Sequence, residues 1–317
     1  MDWIRFNRRT PCPVCQGERS DCRQNTTTGL VYCRSHEANP VDYLYRGQDT
    51  WGFNIWANKA DAEEWAQQNR QEWQREQQRQ RDLEQQQQRE QLNALLSIPE
   101  RDKVIREILD QLTLSDAHRE ILRNRGISDR EIEESNYRSV KQWQKLSSPV
   151  TNELSGVKYD GLSLINHTDG ILIPIPNEEG LYTHLRVNDL TPGTENKYYP
   201  LSSSKRGVKY HLPSGEQPIA VYLPQEAPQK PIIGFTEGLE YKPLLASSNV
   251  GIPIIGASGG NFGSSPGAIE AAIASIKERY GWDENTQFIL YADAGAIING
   301  NVAIAYSKLG EIVPDLT

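Results

Sequence analysis

The sequence lacks any run of about 18 apolar residues, so no segment of it reads as a membrane span. Its opening residues, Met1-Asp2-Trp3-Ile4-Arg5, do not have the apolar core of a signal peptide. It also lacks an excess of positive charge: 34 Lys and Arg stand against 42 Asp and Glu, a net charge of -8. No global basic field therefore draws the chain onto nucleic acid, and any such contact must come from local patches. Cysteine is scarce. The four cysteines all fall within the first 33 residues, too few and too local for a disulfide scaffold in a chain of 317 residues. A cytoplasmic protein with one local metal site is the expectation. No Gly-Lys-Ser/Thr is present, which excludes a Walker A phosphate loop.

The scarce cysteines are arranged with purpose. Cys12-Pro13-Val14-Cys15 is followed, after 17 intervening residues, by Cys33-Arg34-Ser35-His36, a C-x2-C and C-x2-H pairing that predicts a zinc ribbon over residues 1–50. Zinc takes four ligands in a tetrahedron, and closely spaced pairs supply them at small entropic cost. Reduced, buried cysteines are the alternative, but they do not account for two pairs sharing one spacing. Cys12, Cys15, Cys33 and His36 are the expected ligands, because His36 completes the second pair. Cys22 either replaces His36 or is a free thiol beside the site. Arg19, Arg23, Tyr32 and Arg34 interleave with the ligands, a mixture that suits phosphates and stacked bases and equally suits a solvated face.

Glycine and proline are absent from Asp61 to Leu96, where Gln, Glu and Arg dominate. These are good helix formers, and the sparse apolar residues (Trp65, Trp73, Leu83, Leu92, Leu95, Leu96) hold no heptad. Residues 51–98 therefore read as a solvated, glutamine-rich helical linker, with a disordered linker as the alternative. Pro99 marks a break, and 99–150 reads as a block of short helices. Ser115 is a candidate N-cap, and one helix is ended by Gly126 and followed by another starting at Ser128. Mixed charge on the polar faces favours packing on a core over contact with DNA. His118 reads as structural.

Residues 151–230 read as a mixed sheet, with Gly170–Pro176 and Leu181–Val187 as hairpin partners around the turn 177–180. Basic and aromatic residues then cluster at Lys197-Tyr198-Tyr199 and again at Lys205, Arg206, Lys209 and Tyr210. That local patch suits nucleic acid, and composition alone fits a solvated loop as well. From 231 the pattern becomes strand, helix, strand: strands at 231–236, 252–255 and 287–292, helices near 239–247, 266–280 and 301–309. This predicts a parallel sheet with crossover helices, whose ligands collect beyond the carboxyl ends of the strands. Glu237 and Asp293 lie there, as does the turn Gly256-Ala257-Ser258-Gly259-Gly260-Asn261-Phe262-Gly263. Two carboxylates at strand ends suit Mg²⁺ or Mn²⁺ holding a phosphate. Ordinary strand-end or N-cap roles are the alternative.

Thr236-Glu237-Gly238, Glu240-Tyr241-Lys242-Pro243, the glycine-rich turn and Tyr291-Ala292-Asp293-Ala294-Gly295 together resemble the TOPRIM domain of primases and topoisomerases. With Ser264-Ser265-Pro266 and Asn299, they resemble cyanobacterial plasmid replication proteins that carry a TOPRIM-like domain. Gly170, Pro174-Ile175, Arg186 and Lys197-Tyr198 resemble the segment before TOPRIM in bacterial primases, and Cys12 to His36 resembles a primase zinc module. The resemblance implies an α/β protein: a small N-terminal zinc ribbon, a long polar helical spacer, then a primase-like α+β segment leading into a TOPRIM-like parallel sheet at 231–317. It implies Glu237 and Asp293 as catalytic, Mg²⁺- or Mn²⁺-binding residues. It implies Arg186 and Lys197 as phosphate-holding residues, and the basic positions Lys205, Arg206, Lys209 and Lys242 join them as candidate contacts to nucleic acid or nucleotide.

The implied partners are single-stranded DNA, nucleoside triphosphates and a replicative helicase, and the implied reaction is primer synthesis. A non-catalytic replication initiator and a TOPRIM nuclease are the alternatives. One departure stands out: Gly295 takes the place of the second aspartate of the family's Asp-x-Asp metal motif. Related proteins continue into a helicase-like region, so the TOPRIM-like part is expected to be a truncated or N-terminal portion.

Overall fold

The computed structural model describes residues 3–19, 21–35, 38, 40–201, 210–293 and 300–317, with residues 62–73 and 301 described by their backbone. The chain divides into two compact units, Met1–Gln86 and Gln87–Thr317. Among the described residues no helix is long and apolar enough to cross a membrane.

The first unit is an antiparallel sheet of five short strands: β1 (Trp3–Arg5), β2 (Arg23–Asn25), β3 (Val31–Cys33), β4 (Tyr43–Gln48) and β5 (Asn54–Asn58), in the order β1-β2-β3-β5-β4. Side-chain oxygens close its hairpins. Asn25 Oδ1 accepts the N–H groups of Thr27 and Thr28 at 3.0 and 2.9 Å, and Asp49 Oδ1 accepts those of Trp51 and Phe53 at 2.9 and 2.8 Å. The sheet reaches Asn58, so β5 lies inside the stretch expected to be linker. It pairs with β4 through the hairpin closed by Asp49 and, on its other side, with β3, more than 20 residues upstream.

Helix α1 follows (Lys59–Asn93), 35 residues and so about 50 Å long. Residues 74–91 are exposed along its whole circumference. Pairs such as Gln78–Asp82 and Gln80–Glu84 link successive turns in place of an apolar seam, as expected of a solvated helix.

In the second unit, α2 (Ile98–Leu109) begins at Ser97, whose N–H is taken by the Glu100 carboxylate at 2.9 Å. Pro99 therefore sits in the first turn of a helix, where a missing N–H costs nothing. Helix α3 (Asp116–Asn124) is capped by Ser115, which accepts the His118 N–H at 3.3 Å, and α4 (Asp129–Glu134) by a Ser128–Glu131 capping box. His118 hydrogen-bonds Ser139 through Nδ1 at 2.8 Å, a structural role.

These helices pack on an antiparallel sheet of β6 (Arg138–Val140), β7 (Gly170–Pro176), β8 (Tyr182–Asp189) and β9 (Tyr198–Pro200), in that order. Both faces of β7 and β8 are buried. Leu172, Leu185 and Val187 join α2 in one core, while Ile171, Ile173 and Ile175 join α3, α4 and the second sheet in another. The register pairs Ile175, Ile173 and Ile171 with His184, Arg186 and Asn188, so period-two alternation turns three polar residues of β8 toward that second sheet.

The second sheet has the order β10-β12-β11-β13, made of β10 (Ile219–Tyr222), β11 (Ile232–Glu237), β12 (Ile254–Ala257) and β13 (Gln287–Tyr291). β11 is parallel to both β12 and β13, and β10 is antiparallel to β12. Helix α5 (Tyr241–Val250) covers one face. Helices α6 (Pro266–Tyr280) and α7 (Gly300–Ile312) cover the other, around Phe235, Phe262, Ile269 and Leu309. The parallel core matches the expected strand–helix alternation. The fourth strand comes from upstream of residue 231, so this sheet draws on the segment assigned to the mixed sheet.

Candidate active site and metal centre

The parallel strands deliver two acids to one edge. Glu237 is the last residue of β11, and Thr236 is in register with Tyr291 on the neighbouring β13, so Asp293 follows immediately beyond that strand's end. Glu237 is half-buried and Asp293 exposed. Lys242, at the start of α5, donates to Asp293 Oδ2 at 2.9 Å, with each side chain about half exposed. Lys242 thus lies beside the acids, paired with one of them. Gly295 and Asn299 lie outside the described residues.

The glycine-rich turn ends β12 on the same edge. Gly260 has φ +68°, and a Cβ built on it meets the Tyr306 ring at 2.7 Å. This glycine is needed for the close approach of α7, which accounts for it without a phosphate. Ser258 and Gly259 are exposed at the strand end and remain available to a ligand.

The loop between β11 and α5 contacts the first sheet through a buried ion pair. Arg186 Nε faces Glu240 Oε1 with both side chains more than 90% buried. Glu240 also accepts the Leu239 N–H at 3.0 Å, and Arg186 donates to the Tyr210 hydroxyl at 3.1 Å. Arg186, expected to hold phosphate, pairs with Glu240 here, because alternation along β8 turns it inward. Burial lifts the Tyr210 hydroxyl above its usual range. Arg101 and His184 continue the seam, 3.3 Å apart and buried, and the burial of Arg101 brings its guanidinium down to about 10. Lys197, just before β9, is exposed. Lys205, Arg206 and Lys209 lie outside the described residues.

Sequence reading missed Arg125. At the end of α3, its guanidinium stacks over the Tyr241 ring at 4.9 Å and donates to the Tyr198 hydroxyl at 2.9 Å. In sequence it is one arginine among several in a helical block, with nothing local to link it to residues 73 and 116 positions away.

In the first unit the thiols of Cys12, Cys15, Cys22 and Cys33 lie within 4.8 Å of one another, all buried. The Cys15 and Cys22 sulfurs are 3.8 Å apart. That is far beyond a disulfide bond, and it equals the edge, about 3.8 Å, of a tetrahedron with metal–sulfur bonds of 2.3 Å. The donor set fits a structural zinc ion. Backbone N–H groups aim at the sulfurs, as Ser35 N does at Cys33 at 3.4 Å. The Cys12 thiol is lowered to about 5 by its hydrogen bond with Cys33, helped by the backbone at Cys15 and Val14. Burial pushes Cys22 up to about 12, and Cys33 is raised by its hydrogen bond with Cys12 and by burial. A bound cation would hold all four as thiolates. Cys22, the alternative ligand, thus completes a four-sulfur set among the described residues. The preferred His36 lies outside them. Cys22 comes into place because its carbonyl accepts the Phe6 N–H, at 3.1 Å, just past β1.

One face of this unit interleaves rings and guanidinium groups. Arg23 lies 4.7 Å from both the Trp3 and Phe53 ring centres, Arg34 lies 4.5 Å from Phe53, and Trp3 meets Tyr32 edge-on at 4.9 Å. Trp3 and Trp51 are exposed.

No protein-family model matches the chain, and no curated protein matches it in sequence. Solved structures do. The chain is similar to the DnaG catalytic core, with TM-score 0.40 and 14% identity over 60% of each chain. It is also similar to the DnaG primase catalytic domain bound to ssDNA, with TM-score 0.39 and 14% identity over 60% of this chain and 63% of that one. It spans about 60% of the length of these catalytic cores.

Proposed function

We propose that this chain is a primase-like replication protein of a plasmid or other mobile element, binding single-stranded DNA and joining nucleotides at the edge formed by Glu237 and Asp293. The observation that carries the reading is the placement of these two acids at the carboxyl ends of adjacent parallel strands, next to exposed Lys242. Two carboxylates suit Mg²⁺ or Mn²⁺, which completes its coordination with substrate phosphates and, when bound, neutralises phosphate charge and acidifies an attacking hydroxyl. Glu237 and Asp293 would hold the ion. Lys197 and Lys242 would meet phosphate oxygens. The four-thiol centre would hold zinc and keep the first unit's sheet folded, with the Trp3–Arg23–Phe53 face stacking template bases.

The test is template-dependent primer synthesis with Mg²⁺ or Mn²⁺, comparing wild type with Glu237→Gln and Asp293→Asn. Loss in both variants is expected; unchanged synthesis in both removes the site. A second reading has one observation in its favour, because the Lys242 ammonium already occupies Asp293. A non-catalytic DNA-binding module would then bind single strands with a steep salt dependence and incorporate no nucleotide.

A further inference from the structure

The helical block carries two capping boxes whose glutamates have different surroundings. Glu100 closes the Ser97 box at the start of α2 while exposed to water, which is all that capping requires. Glu131 closes the Ser128 box of α4, yet it is only 7% exposed. Its Oε2 accepts the Ser128 N–H at 2.7 Å and the Ser128 hydroxyl at 2.6 Å, and its Oε1 accepts the hydroxyl of Ser248, on α5. Burial opposes its ionisation, but the two hydroxyls and the N–H hold the carboxyl below its usual range, so it is an anion at neutral pH. Among the described residues no cation lies within ion-pair distance of it, and neighbouring Arg130 is spent on Glu134. A buried carboxylate without a counterion is a costly arrangement. Its two oxygens offer about four acceptor positions, and the three donors named leave one open.

Glu131 lines a cavity of about 640 Å³ between α4, the end of α5 and residues 224–230, a volume within the range of about 300 to 1,000 Å³ typical of small-molecule sites. Ile232, at the start of β11, Ile252 and Tyr291, at the end of β13, supply an apolar and aromatic wall. Gly234 admits the Tyr291 ring, because a Cβ on it would meet that ring at 2.8 Å. The charged residues of the lining are Glu131 and Glu226 against Lys230, so the balance is negative. Neither Glu237 nor Asp293 belongs to it. An open acceptor on a carboxylate that no cation neutralises, beside an apolar and aromatic wall, has the chemistry of a receptor for a cationic N–H donor.

We infer that this cavity binds a small organic cation, whose ammonium or guanidinium group donates to Glu131 and whose apolar body lies against Ile232, Ile252 and Tyr291. The site stands apart from the strand-end acids and does not depend on the reaction proposed for them.

The experiment measures binding of isoamylamine, isoamylguanidine and isoamyl alcohol to the full chain by calorimetry and ligand-observed NMR. The three probes share one apolar body, and the alcohol lacks the charge. Wild type is compared with Glu131→Gln, Glu100→Gln and Val250→Trp. Gln serves in a capping box as Glu does, so Glu131→Gln removes the charge and keeps the cap. Glu100→Gln removes the same charge from the same motif away from the cavity. Val250, exposed in the cavity lining, can become Trp and fill the space without touching the carboxylate. Wild type is expected to bind the amine or the guanidine at least about 10-fold more tightly than the alcohol. Glu131→Gln should remove that preference, Val250→Trp should weaken binding of every probe, and Glu100→Gln should change little. A wild type that binds neither cation, or binds the alcohol equally well, overturns the inference. So does binding that Val250→Trp leaves intact, an outcome readable even where Glu131→Gln fails to fold. Equal losses in Glu131→Gln and Glu100→Gln overturn it too, since net charge would then suffice.

Discussion

Lys242 Nζ lies 2.9 Å from Asp293 Oδ2, so the ammonium stands where a divalent cation would approach the second strand-end acid. The two cannot share the same oxygen. A metal binding here must first displace a half-exposed ion pair, and such pairs contribute about 0.2 to 1 kcal/mol. Lys242→Met is therefore expected to tighten Mn²⁺ binding by about 2- to 5-fold, measured by calorimetry or by the paramagnetic signal of the free ion. The wild type should approach the variant as salt rises, because screening weakens the competing pair. Equal affinity at low salt would show that Asp293 is not a metal ligand.

Arg186 and Glu240 form a buried pair, and removing one partner leaves the other charged in a poorly solvated place. Arg186→Ala is expected to destabilise the second unit by about 3 to 5 kcal/mol, the usual cost of stranding a buried charge. The double variant Arg186→Met with Glu240→Met should recover most of it. Thermal unfolding of the three proteins measures this. If Arg186→Ala melts like wild type while losing nucleotide binding, Arg186 is a ligand-facing residue after all.

These two pairs also mark how far the sequence could be read. Helix α6, expected near 266–280, runs over Pro266–Tyr280, because the signals that bound it, Ser265-Pro266 and Gly281, lie within a few positions of its ends. The parallel strands β11 and β13 were legible as apolar runs with an acid at the end. Strand β10 escaped, since Ile219–Tyr222 pairs with a strand over 30 residues away and inherits no turn signal from it. The acids of the site were visible because strand ends are local features. Which cations would meet them was not. Arg186 was visible as a basic residue, but only the register with Ile173 turns it toward Glu240, and only the fold brings Arg125 to Tyr198 and Tyr241. Cys22 was visible as an alternative, and the strand that positions it decided its place.

Four buried thiols within 4.8 Å of one another are enough for a tetrahedral ion, which predicts Cys22 as a ligand. Elemental analysis is expected to find one zinc per chain in wild type and in His36→Ala. Cys22→Ser should lose it or hold it weakly enough for a mild chelator to take. Because ligands must be deprotonated, release by the chelator should quicken as pH falls. Zinc retained by Cys22→Ser and lost by His36→Ala would restore the pairing first expected from the C-x2-H spacing.

His184 ties acid stability to the polar seam. It is fully enclosed, its Nε2 faces the Tyr210 carbonyl, and Arg101 lies 3.3 Å away. Burial first, and then the positive charges of Arg101 and Arg186, hold its imidazole well below the ordinary histidine range. In the unfolded chain the same ring titrates near pH 6.5. Above that pH both states carry a neutral ring and the linkage is silent. As pH falls below it, the unfolded state takes up a proton that the folded state refuses, so stability declines by up to about 1.4 kcal/mol per pH unit. His118, also lowered by burial, adds to the same trend. Chemical denaturation of the full chain at pH 7, 6 and 5 is expected to show this fall. His184→Gln, whatever its stability at pH 7, should show a shallower one, and His118→Gln should remove a further part. A His184→Gln profile parallel to wild type would mean that the folded protein accepts a proton at His184 as readily as the unfolded chain does.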